Sequence, residues 1–135
     1  MDDFHQLRRG GPAGAAFPRE VGPSEVSARR ALARCRVTML ASTTAAVAAN
    51  TFNKGDVLAT ARVAGIQAAK RASELLPMAH PVLVGNVYLN FTIADAHIDV
   101  EAEVDTIDRT GVEMEALTAV TVAALTIYDL SLIHI

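Results

Sequence analysis

Residues 33 to 39 alternate in polarity, with Ala33, Cys35, Val37 and Met39 on one face and Arg34, Arg36 and Thr38 on the other. That is the period of a half-buried strand. The same alternation returns twice. Val87, Leu89, Phe91 and Ile93 interleave with Tyr88, Asn90 and Thr92, and Ile98, Val100, Ala102 and Val104 interleave with Asp99, Glu101, Glu103 and Asp105. The connection at Ala94, Asp95 and Ala96 is short enough to make these two an antiparallel hairpin.

Between the strands the period lengthens. Ser42 is placed to cap a short helix running to about Ala49, followed by a loop over residues 50 to 55. Asp56 is placed to cap a second helix, expected to run to about Leu76 and to stop at Pro77. Its Ala59, Ala61, Ala64, Gly65, Ala68 and Ala69 are small enough to admit a closely packed neighbour. Thr110 and Glu113 have the spacing of a capping box opening a third helix, apolar nearly all round and therefore expected to be buried, partly against another subunit. The order strand, helices, strand, strand, helix predicts an α+β fold, a ferredoxin-like antiparallel sheet packed with helices and lacking its last strand. An unpaired edge on the first strand, with reduced stability or aggregation, is the expected consequence.

Composition narrows the classes. At 135 residues one domain is expected. Residues 1–24, with Gly10, Gly11, Pro12, Pro18, Gly22 and Pro23 among charges, read as a flexible leader ahead of a domain over 25–130. The hydrophobic share is 51%, but much of it is alanine. The most apolar run, residues 116 to 127, is shorter than the ~20 residues of a span, so no membrane segment is expected. No basic segment leads into an apolar one at the N-terminus, and Cys35 is the lone cysteine, which points to a reducing cytoplasm. A net charge of −3 with two lysines argues against general nucleic-acid binding, while leaving room for a small anionic substrate. The four histidines have no closed ligand spacing, so no metal is expected.

Two segments carry the chemistry. The first runs Lys54-Gly55-Asp56-Val57-Leu58-Ala59-Thr60-Ala61-Arg62-Val63-Ala64-Gly65 and on to Leu76-Pro77-Met78-Ala79-His80-Pro81. The second runs Thr110-Gly111-Val112-Glu113-Met114-Glu115-Ala116-Leu117-Thr118 and on to Tyr128-Asp129. Lys54 and His80 flank the second helix and would lie nearly ~30 Å apart along its axis. Glu115 and Asp129 share a face of the third but are ~21 Å apart. Either these polar residues serve separate purposes or opposite helix ends of two subunits meet at one site. Asp129 stands at a helix C-terminus, where the macrodipole disfavours a carboxylate, which suggests a purpose other than stability.

Together the segments resemble the cyclic pyranopterin monophosphate synthase family of molybdenum cofactor biosynthesis, over roughly residues 29 to 130. The resemblance implies rearrangement of 3′,8-cyclo-7,8-dihydroguanosine 5′-triphosphate to cyclic pyranopterin monophosphate with release of pyrophosphate. It implies no redox cofactor, and a homohexamer built of dimers with sites at subunit interfaces. By motif, Asp129 matches the catalytic aspartate and Lys54 a catalytic-site lysine, while Met78, Ala79, His80, Met114 and Glu115 match substrate-binding positions. Lys70, with Arg62 and Arg71, is a candidate phosphate contact against the alternative of a solvated helix face. For His80 the alternative is bonding to backbone carbonyls, for Met114 a place in the core, and Glu113 is accounted for by the capping box.

Three departures stand out. Ala79 replaces a cysteine usual in the family, and Leu132 stands where the family has a lysine one turn beyond the aspartate. Residues 130 to 135 read Leu-Ser-Leu-Ile-His-Ile, which resembles what a transposase adapter used in sequencing libraries would encode, so 131–135 are expected to be non-native. A truncated synthase with little or no activity is the leading expectation. A non-catalytic module that co-assembles with an intact synthase is the alternative.

Overall fold

The computed structural model describes residues 25–52 and 55–132; the expected leader, Lys54 and residues 133–135 lie outside them. In chain order the elements are β1 (Ser27–Thr38), α1 (Ala41–Ala49), α2 (Val57–Lys70), α3 (Ala72–Leu75), β2 (Val84–Ile93), β3 (His97–Asp108) and α4 (Glu113–Ser131). The three strands form one antiparallel sheet in the order β1-β3-β2. The expected α+β class is what the chain adopts.

β3 is central, and its alternation separates two environments. Ile98, Val100, Ala102 and Val104 are fully buried, facing α4 and α2, which cover one side of the sheet. Asp99, Glu101 and Glu103 face the other way and pair with the arginines of β1: Arg36 with Asp99 at 2.7 Å, Arg34 with Glu101 at 2.7 Å, and Arg30 with Glu103 at 3.3 Å. Arg36 and Arg34 stand directly opposite their acids in the register. Such exposed pairs are screened by solvent and add little, so they favour register more than stability. The hydrophobic face supplies most of the stability.

β1 begins six residues earlier than alternation suggests, because pairing with the twelve-residue β3 extends it: Ser27 is opposite Asp108 and Thr38 opposite His97. Among the described residues its other edge is unpaired.

Two expected helix starts are corrected. α1 is capped by Leu40 rather than Ser42, with no side-chain cap bond; the Thr43 and Thr44 N–H groups bond to the Leu40 carbonyl. The Thr44 hydroxyl donates to the Asp95 carbonyl at 2.6 Å, tying α1 to the hairpin connection and setting where it starts. α4 is capped by Val112, again without a side-chain bond, so Thr110 and Glu113 form no capping box. Glu113 is instead the first helical residue, its carboxylate lying where a Cβ on Gly111 would fall. The third expectation holds: Asp56 caps α2, accepting the Ala59 N–H at 3.0 Å. That helix breaks at Arg71, before the predicted end, and α3 resumes it for one turn.

By length and composition α4 could cross a membrane. Here it is the core helix: Ala116, Ala119, Val120, Ala123 and Ile127 are buried against β1, β3 and α2. Alanines dominate this interface, which lets the two long helices approach closely.

Candidate functional site

α4 carries its two candidate carboxylates at opposite ends. Glu115, in the first turn, is 4% exposed, with the half-buried Met114 beside it. Burial pushes the Glu115 carboxyl above its ordinary range; its own backbone N–H opposes this and the charge of Glu113 adds to it. Burial disfavours the charged form of a carboxyl, which is the cause of the shift. Asp129, in the last turn, is exposed to solvent. Fourteen residues of helix keep the two ~21 Å apart, so one subunit does not bring them together.

The second group lies between α3 and β2. Met78 is 90% exposed, Ala79 half-buried and His80 exposed, and the Ala79 N–H donates to the Leu76 carbonyl at 3.0 Å. Lys70 closes α2 with an exposed side chain. Arg62 lies along β2 instead: its Nε donates to the Leu89 carbonyl at 3.3 Å and its guanidinium lies 5.2 Å from the Phe91 ring centre. That cation–π contact holds α2 against the sheet. Among the described residues no group of three or more His, Cys, Asp or Glu side chains is gathered to hold a metal ion.

Asp108 was absent from the sequence-based candidates. Its carboxylate accepts the Leu83 N–H at 2.9 Å and the Arg109 N–H at 2.6 Å. These bonds, with the nearby Arg109 and Arg29, hold it below the usual carboxylate range. Only the spatial meeting of β3 with the residue before β2 reveals it, since strand periodicity gives an aspartate there no distinction.

These features define an α+β domain whose apolar core helix presents a buried carboxyl at one end and an exposed carboxylate at the other, with a histidine in the connection that leads into β2. The chain belongs to the MoaC family, whose model matches residues 19–132. A cyclic pyranopterin monophosphate synthase of Roseiflexus sp. (strain RS-1) is 48% identical over 132 residues, covering 96% of this chain and 82% of that protein. Proteins of the same name from Heliobacterium modesticaldum and Streptomyces coelicolor are 54% and 48% identical, over 104 and 118 residues. These alignments cover 76% and 87% of this chain, and 65% and 69% of the two relatives.

Proposed function

We propose that this chain is a cyclic pyranopterin monophosphate synthase, a lyase acting on 3′,8-cyclo-7,8-dihydroguanosine 5′-triphosphate with release of pyrophosphate. The observation that carries this reading is the 48% identity to a protein of that name across 132 residues, both chemistry-bearing segments included. Asp129 and Lys54 supply acid-base groups for opening and rebuilding the rings, and Glu115 binds the substrate. A sugar hydroxyl attacks the α-phosphorus, a new P–O bond forms, and pyrophosphate departs from the same phosphorus. Lys70 is assigned to the triphosphate, whose charge needs compensation as the leaving group develops. Met78, Ala79, His80 and Met114 bind the guanine-derived part.

The active form is a homohexamer built of dimers, in which Glu115 of one subunit works beside the other end of a neighbour's helix. The ~21 Å between Glu115 and Asp129 supports a shared site. So do the large apolar side chains on the outer side of the two long helices, where Val63, Leu125 and Tyr128 are more than half exposed. A cytoplasmic location fits the lone Cys35 thiol, which sits half-buried and donates to the Val120 carbonyl.

Leu132 can neither donate a proton nor hold phosphate, so turnover is expected to fall below that of a synthase with lysine there. This residue alone favours a second reading, a silent module assembling with an intact synthase. Assay of pyrophosphate release separates the two. The synthase reading expects weak turnover or none from the chain as it stands, a gain with Leu132→Lys, and a loss of about 10²–10⁴-fold when Asp129→Asn is added to that variant. No turnover from either the wild type or Leu132→Lys refutes it.

A further inference from the structure

The carboxylate of Asp108 reaches Leu83, 25 residues away in sequence, Oδ2 accepting its N–H, while Oδ1 accepts the N–H of the next residue, Arg109. Backbone pairing of β2 with β3 reaches its end at Val84 opposite Thr106, so this side chain carries the ladder one step further. The Thr106 hydroxyl donates to the Leu83 carbonyl, so both backbone polar groups of Leu83 are held by β3 side chains. On the third side, Arg29 Nε of β1 donates to the Asp108 carbonyl at 3.3 Å.

Leu83 follows His80 by three residues, and Arg109 precedes Met114 by five. In the connection bearing His80, Val82 is partly buried against the core, while Met78 and Leu83 on either side are 90% and 69% exposed, so the side chains leave the rest of the segment to backbone bonds. We propose that Asp108 is a positioning residue, setting the separation between the Met78, Ala79, His80 segment and the Met114, Glu115 turn so that one substrate meets both. The inference rests on the synthase reading for the substrate that spans the two segments. Each oxygen serves a different N–H, so an asparagine, with one accepting oxygen, keeps the size and loses a bond.

The test uses the full chain as wild type, Asp108→Asn and Asp108→Ala. Two quantities are measured: amide hydrogen exchange over residues 78–83, and the Kd for 3′,8-cyclo-7,8-dihydroguanosine 5′-triphosphate by calorimetry. With Asp108→Asn, whose thermal midpoint stays near wild type, exchange should quicken about tenfold and Kd weaken about tenfold, the scale of one charge-assisted hydrogen bond. Should Asp108→Ala fail to fold, the asparagine variant decides alone. Faster exchange with unchanged Kd makes Asp108 merely structural and overturns the inference, as does a weaker Kd with unchanged exchange. A wild type that binds no substrate overturns the synthase reading itself.

Discussion

Gly65 on α2 lies so close to Ala119 on α4 that a Cβ added to it would fall 3.1 Å from the Ala119 carbonyl oxygen and 2.8 Å from Leu89 Cδ1. Leu89 can change rotamer, but the carbonyl belongs to a buried helix and can move only with it. Gly65→Val should therefore lower the unfolding free energy by about 1–3 kcal/mol, the cost of overpacking. Gly65→Ala should cost less, because about 1 kcal/mol of helix propensity offsets the crowding. Urea denaturation measures both, and a valine variant as stable as wild type would show that the helices have room to separate.

The Ser131 hydroxyl is buried without a hydrogen-bond partner, on the stripe that Ala116, Val120, Ala123 and Ile127 lay along α4. An unsatisfied hydroxyl in apolar surroundings costs about 1–3 kcal/mol. Ser131→Ala should raise stability by about 1 kcal/mol, read as a higher midpoint in thermal melts. An unchanged or lower midpoint would mean that the hydroxyl finds a partner in solution.

Glu115 gives the fold a pH dependence of definite sign. Its carboxyl is raised in the folded chain, so the folded state holds this proton to higher pH than the unfolded state. The stability it contributes is fully present below the unfolded value and is lost as pH rises through the folded one. Asp108 and Asp99, both lowered, act in the opposite direction, losing their contribution as pH falls through their folded values. The informative quantity is thus the difference between Glu115→Gln and wild type. The variant should gain stability relative to wild type as pH rises from the ordinary carboxylate range toward neutrality. Parallel curves across that range would show that Glu115 is solvated in the folded protein.

The strands were legible because each carries a period of two, and packing on one face demands that period. The Asp56 cap was legible for a similar reason, since an aspartate three residues before a free helical N–H needs nothing distant. Ser42 and Thr110 have the same local credentials yet cap nothing. At α1 the Asp95 carbonyl takes the Thr44 hydroxyl, and at α4 Gly111 lets the Glu113 carboxylate fold back over the chain. The candidate residues were legible as segments rather than as a place: Met78, Ala79, His80, Met114, Glu115 and Asp129 follow one another along the chain, and one subunit does not gather Glu115 and Asp129. Asp108 did not, because its partner Leu83 is distant in sequence.

The sequence by itself determined the three strands, the small-residue helix and the apolar helix, because periodicity and composition act within a few residues. It also determined family membership, through the two long segments. Tertiary structure alone decided where the helices begin, how closely Gly65 meets Ala119, that Glu115 is buried while Asp129 is not, and that one carboxylate ties two distant segments together. Each of these depends on which groups meet across the sheet and between the helices, and such meetings are set by the packing of the whole domain.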